Sequence, residues 1–227
     1  MIAPQFAKSA RRNFLAGAAA TGLLALPGCE SIQRHSLIVA IRRLLSLAAR
    51  NALARLMAPG GFWDNELARI DLPNVFGSRG NVLLGILTSV TVKNRLQRSL
   101  NRVAERGARR AAPVIADVVR TIGIDNAQAL LRGGPTAATG FLRQSMGASL
   151  IDTMVPELAE GIRIAEDPVV GQAIAALTGI DLTGVARSLS GRVDESIWGE
   201  IGREEAAIRA NPESTNDPEL IWALKAL

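Results

Sequence analysis

Three pairs of carboxylates, Glu157 with Glu160, Asp194 with Glu195 and Glu204 with Glu205, have the residue type and spacing for acid–base work in this 227-residue chain. Two carboxyl groups flanking a scissile bond are the machinery of glycoside hydrolysis. Each pair lies in an acidic, helix-patterned stretch, where such side chains ordinarily face water. A second candidate is Asn101-Arg102 with Glu105. The residue types support either a local ion pair beside a packing asparagine or an anion contact in a groove. Because arginines line the whole of that face, the ion pair is the favoured reading. Glu205 precedes Arg209 by four residues, the favourable order for a helical pair, while Glu204 has no base at that spacing. "GGPTAATGF", residues 133–141, has the glycines and hydroxyls of a phosphate loop. It lacks the G-x-x-x-x-G-K-[ST] pattern, and its small residues read instead as a close approach of two helices. Phe62 and Trp63 follow a double glycine, as a docking finger would or, more commonly, as a loop anchored to the core by its aromatic residues. With Arg69 and Asp71 they mark the rim of a candidate pocket.

Absences narrow the chemistry further. His35 is the only histidine and Cys29 the only cysteine. A nucleophile–histidine triad has no material beyond residue 35, and neither has a zinc site of His and Cys ligands. Lysine occurs only at 8, 93 and 225. No cofactor and no metal is expected.

The start of the chain carries a different signal. "RRNFLAGAAATGLLALPGCES" opens with Arg11 and Arg12, then Phe14 and Leu15, then an Ala- and Gly-rich run too short to span a bilayer. Arg-Arg-x-Phe-Leu with weak apolarity fits twin-arginine export, although two arginines also suit an ordinary secretory start. Leu26, Pro27 and Gly28 before Cys29 resemble a lipobox, in which the cysteine is lipidated and becomes the new N-terminus. The expected organisation is a signal peptide over 1–28, a lipidated tether over 29–36 and one helical domain over 37–227. That places the protein in the periplasm, held to the inner or outer membrane through Cys29. Several acyl chains on one cysteine anchor far more stably than one.

Removal of 1–28 takes three of the 26 basic residues and none of the 21 acidic ones, lowering the formal charge from +5 to +2. Nucleic acid is therefore not an expected partner. The distribution says more than the sum. Residues 34–55 hold five arginines and no acid, residues 79–120 hold nine bases against two acids, and residues 152–219 hold fourteen acids against five arginines. Either the basic and acidic parts face each other, the preferred reading, or the basic part faces anionic headgroups beneath the anchor.

The elements that position these residues read as helices. Leu37, Ile41, Leu44, Leu45, Ala48, Ala52 and Leu56 recur at helical spacing before "APGG". Residues 61–76 lack that period and read as a loop with a short extended piece ending at Pro73. Over 93–111, Arg95, Arg98, Arg102, Arg106 and Arg109 fall within an arc of roughly 80°, beside an apolar arc roughly 100° wide. Pro113 is expected to kink or restart that helix. Asp125 is the expected cap of a short helix ending at Gly133-Gly134, and Pro135 the expected start of one running to Met154. "PELAEGIRIAE", "PVVGQAIAAL" and "DLTGVARSL" read as separate short helices, 191–210 as a longer one, and "DPELIWALKAL" as the last. The fold class is all-α, an irregular multi-helix bundle.

The segments "GFWDNELARIDLP", "LNRVAERGARRAAPVIADVV", "DNAQALLRGGPTAATGFLRQ", "LIDTMVPELAE" and "REEAAIRANP" together resemble the bacterial family catalogued as domain of unknown function 4197, across roughly residues 37–212. The resemblance implies a helical domain, often in envelope proteins with a signal sequence, and no assigned activity. It departs from the family's usual tyrosines and lysines at "VVGQAIAALTGIDLTGVARSL" and from its basic ending at "ESTNDPELIWALKAL".

Two functional classes follow. One is a lipid-anchored, non-enzymatic helical module that binds an envelope protein or an apolar ligand, with Asn101, Arg102, Glu105, Phe62, Trp63 and Arg69 as candidate contacts. The alternative is an enzyme, or a carrier of a lipid or cofactor, loaded before twin-arginine export.

Overall fold

The apolar positions of 37–57 recur every three or four residues, and such a stripe is stable only when other helices cover it. In a computed structural model of the protein, which describes residues 27–71 (27–35 as backbone), 89–164 and 181–226, Leu37, Ile41, Leu44, Leu45, Ala48, Ala52 and Leu56 are all buried. They lie on α1, Pro27–Met57. The segment 29–36 is thus helical in backbone and continuous with the domain. Then follow α2 (Val90–Thr121), α3 (Ala127–Arg132), α4 (Ala137–Met146), α5 (Ser149–Arg163), α6 (Leu182–Ala210), a 3-10 turn (Pro212–Thr215) and α7 (Pro218–Lys225). The fold is an all-α multi-helix bundle, with no strand among the described residues. The four long helices form a ring: α1 packs on α2 and α6, and α5 packs on the same two from the opposite corner. Helices α3 and α7 lie against α1, and α4 lies against α6.

Helix boundaries differ from the expected ones where the surroundings of a proline or a glycine override its local preference. Pro113 sits inside an unbroken α2, and Pro156 inside an unbroken α5. Both rings are exposed, as are Arg109 and Asp152, whose carbonyls lose a donor to proline, so water can satisfy them. The start of "PELAEGIRIAE", residues 156–163, is therefore the second half of α5, and its last two residues lie outside the described ones. The break comes earlier, at Gly147, whose φ of +53° is a left-handed backbone that glycine adopts freely. Likewise "DLTGVARSL" and 191–210 are one helix, because Leu189, Val193, Ile197 and Ile201 share a buried face. Burial of that face outweighs a mid-helix glycine cost of about 1 kcal/mol. Asn126 rather than Asp125 caps α3, accepting from the Ala129 N–H, and α4 starts after Thr136. "PVVGQAIAAL" and 72–76 lie outside the described residues.

Candidate functional site

The loop 58–71 is built to stay in one place. Gly60 has φ +81°. At Gly61 a Cβ would stand 2.2 Å from the Arg55 carbonyl oxygen, so only glycine passes this close to the end of α1. Phe62 is fully buried. Asn101 on α2, also fully buried, accepts from the Ile70 N–H (2.9 Å) and donates to the Ile70 carbonyl (3.0 Å) and to the Gln97 carbonyl (2.8 Å). One side-chain amide thereby does for Ile70 what a neighbouring strand would do. Trp63 is half-buried, with the guanidiniums of Arg69 and Arg98 each 5.0 Å from its ring centroid, and Arg69 also donates to the Trp63 carbonyl. Cation–π contacts of this kind help fix an exposed rim.

Four carboxylates are buried among the described residues: Glu105, Asp194, Glu200 and Glu205. The acidic pairs are thus not uniformly solvent-facing. Glu195, Glu157 and Glu160 are exposed, whereas Asp194 and Glu205 turn inward because partners await them. Adjacent residues on a helix point about 100° apart, so neither Asp194–Glu195 nor Glu204–Glu205 converges on one point. Glu205 accepts from the Ala138 N–H (3.0 Å), the Thr139 N–H (2.7 Å) and the Thr139 hydroxyl (2.6 Å). It therefore fills the N-terminus of α4, where free N–H groups and the helix dipole favour an anion. The phosphate-loop look of "GGPTAATGF" has this explanation: the anion at that helix start belongs to the protein. Arg209 pairs with Glu205 and donates to the Leu130 and Leu131 carbonyls, closing the end of α3. Asp194 accepts from Trp198 Nε1 (2.8 Å) and from Arg143. Glu200 accepts from Arg55, Asn65 and Arg203. Glu204, half-buried, takes Arg55 (2.7 Å) and Asn51.

The charge halves meet through α1. Arg43 pairs with Asp217 and Glu219, and Arg55 with Glu200 and Glu204. Arg95, Arg98, Arg102 and Arg109 of the α2 stripe do not join them in any ion pair among the described residues. Arg98 stands over Trp63, and Arg109 donates to the Met57 carbonyl at the end of α1 (2.7 Å). Arg106 donates to the Gly161 carbonyl (3.3 Å). Arg95 and Arg102 are exposed. Arg102, Arg106 and Arg109 line a cleft of about 180 Å³ between α2 and α5, with Ser99, Val103, Glu105 and Gly161. Gly161 lets it form, since a Cβ there would lie 2.7 Å from Arg106 Nη2. Of the candidate contacts, Arg102 and Glu105 therefore share a cleft, Phe62 and Asn101 are interior, and Trp63 and Arg69 share a separate rim. Ser99 and Gly161 were missed. Ser99 lay in register with Arg102 and Arg106 at three- and seven-residue spacing, whereas Gly161 left no mark in sequence.

Buried α2 positions reach beyond the apolar arc, to Asn101, Glu105 and Ala108. Glu105 lies under the loop and accepts from the Gly60 N–H (2.9 Å). Burial pushes its carboxyl above the usual range, against the opposing pull of Gly60, Arg109 and Arg102. Asp194 is likewise raised, first by burial. In Glu200 burial also acts upward, but bonds from Arg203, Asn65 and Arg55 outweigh it and the net direction is down. A raised carboxyl contributes stability that is complete below its unfolded pKa and lost as pH rises through the folded value. Glu105→Gln removes that loss. Its melting temperature relative to the parent is therefore expected to be highest near neutral pH and to converge on the parent as pH falls towards about 4. A constant difference across that range in thermal unfolding would contradict the assignment.

What this architecture resembles is a narrower matter. No curated protein and no solved structure matches the chain. A family model described as "Protein of unknown function (DUF4197)" matches residues 31–222, which include α1 from residue 31, the whole of α2, α5 and α6, the Asn101–Ile70 clamp and the Glu205 cap. This helical chain belongs to that family, one of unknown function.

Proposed function

We propose that this protein is a lipid-anchored, non-enzymatic binding module of the bacterial envelope, exported by its 1–28 leader and held at a membrane by acylated Cys29. The observation that carries the binding half is the contrast between its charges. Among the described residues, every buried carboxylate is committed to a helix end, a loop amide or a fixed cation. Arg95, Arg98, Arg102 and Arg109 on α2 are instead exposed. Anchoring rests on the Arg11, Arg12, Phe14, Leu15 and Leu26-Pro27-Gly28-Cys29 patterns. No described helix is long and apolar enough to cross a membrane. The second reading, an enzyme or carrier loaded before export, draws on the twin-arginine pattern alone.

Cell fractionation with mass analysis of the N-terminus tests the proposal. The parent protein is expected in the membrane fraction, beginning at an acylated Cys29, and Cys29→Ala is expected to lose both properties. A parent protein that is soluble, or cleaved elsewhere, would end the anchoring claim. Native mass spectrometry of the detergent-released protein separates the two readings. A stoichiometric organic cofactor would favour the enzyme or carrier.

A further inference from the structure

Away from its buried seam, α1 carries a second row of side chains. Arg42, Ser46 and Arg50 recur at four-residue spacing, so they form one ridge about 12 Å long. With α7 and the turn before it, this ridge borders a cavity of about 420 Å³, whose apolar wall is Val39, Leu47 and Leu220. That volume lies within the roughly 300–1,000 Å³ of small-molecule sites.

Two guanidiniums of the ridge have unused donors. Arg42 gives one N–H to the Ile122 carbonyl at the end of α2 (3.0 Å), while its Nε is buried with no partner among the described residues. A buried donor without an acceptor is costly, and a ligand oxygen removes that cost. Arg50 is exposed and makes no hydrogen bond or ion pair among the described residues. The other charged residues of the lining are already committed. Arg43 pairs with Asp217 (2.9 Å) and Glu219 (2.7 Å), and Asp217 caps α7 by accepting from the Glu219 and Leu220 N–H groups. The acid in the lining thus has its own cation, and Arg42 and Arg50 remain to attract an anion.

Arginine forks match phosphate and carboxylate oxygens alike. A phosphodiester has four oxygens and can meet Arg42, Ser46 and Arg50 together. The two oxygens of a carboxylate sit side by side and cannot span the row. Val39, Leu47 and Leu220 offer nothing to an inorganic ion but can bury methylenes. Cys29 lies on the same helix, so a chain acylated there keeps the cavity among phospholipids.

We propose that the cavity between α1 and α7 binds the phosphodiester of an anionic phospholipid. Arg42, Ser46 and Arg50 hold the phosphate, and the glycerol and first methylenes lie on Val39, Leu47 and Leu220. This deepens the binding-module reading and rests on it.

Calorimetric titration of the full chain carrying Cys29→Ala, in detergent-free buffer, tests this with three probes. They are dihexanoyl phosphatidylglycerol below its micelle threshold, glycerophosphoglycerol (the same headgroup without chains) and hexanoate. Saturable binding of the lipid is expected, with the bare headgroup weaker by about tenfold or more, the effect of burying two methylenes. Hexanoate is expected to be weaker by a similar factor, for want of a charge-assisted hydrogen bond. Arg50→Gln is expected to weaken the lipid about tenfold and Arg42→Gln at least as much. Arg95→Gln, on α2 outside the cavity, leaves it unchanged. All variants share the same leader, so differences among them report the cavity. Arg50 has no partner to lose, so its variant keeps the fold, as circular dichroism would check. Equal binding of the lipid and the bare headgroup would mark a site for soluble phosphodiesters and overturn the lipid assignment. Equal binding of hexanoate, no saturation by about 1 mM lipid, or an Arg50→Gln protein that binds as the parent does would overturn the proposal. If the parent is acylated and membrane-held yet the lipid does not bind, the cavity assignment falls and the anchoring claim stands. Lipid binding by a chain whose parent proves unacylated keeps the cavity and removes the anchor.

Discussion

Glu205→Ala is expected to lower the melting temperature by about 6–20 °C, or to prevent folding. Removing one partner of a buried ion pair costs about 3–5 kcal/mol, because the remaining charge has no solvent to return to. Each kcal/mol moves the midpoint by about 2–4 °C in a chain of this size. Here the loss has several parts. The Ala138 and Thr139 N–H groups lose their acceptor at the start of α4, the Thr139 hydroxyl loses its partner, and Arg209 is left nearly buried between α3 and α6. Arg209→Ala is expected to cost a comparable amount, and the double substitution much less than the sum, since each single change strands the other residue. Thermal unfolding followed by circular dichroism reads all three. Additive losses would mean that the two residues act separately.

Asn101→Leu should destabilise the chain by about 2–6 kcal/mol at nearly unchanged side-chain size. Two buried backbone groups of Ile70 lose their partners, at about 1–3 kcal/mol for each group left unsatisfied. The effect should also be local. Freed from α2, the loop 58–71 is expected to expose Arg69 to trypsin well before global unfolding, because local opening then costs less than unfolding the bundle. Asn101→Asp retains an acceptor for the Ile70 N–H and loses both donors, so it should fall between the parent and Asn101→Leu. Unchanged protease resistance in the leucine variant would show that Phe62 and the close passage at Gly61 hold the loop without the amide.

These two residues mark the limit of what could be read from the chain. The Glu205–Arg209 pairing followed from a four-residue spacing, which is local geometry. That Glu205 also closes the start of a helix more than 60 residues away did not, since no local pattern links position 205 to Thr139. Asn101 was recognisable as a packing asparagine within a motif, but its partner Ile70 lies in a loop whose sequence has no regular period. Pro113, expected to kink or restart its helix, meets the same limit. A proline's effect depends on whether its orphaned carbonyl faces water, and that depends on which neighbours cover the helix.

The amino-acid sequence alone determined the all-α class, the apolar seam of α1 and the arginine stripe of α2. All of these are periodicities or short motifs carried by contiguous residues. Tertiary structure decided which charges meet. It turned the acids of α6 towards α1, left Arg95 and Arg102 of α2 exposed, buried Glu105 beneath Gly60 and brought Gly161 against Arg106 to open a cleft. The physical reason is range. Helical periodicity is set within a few residues, whereas the partner of a charge or a buried amide is set by packing between segments far apart in sequence, under the requirement that each buried polar group find a mate.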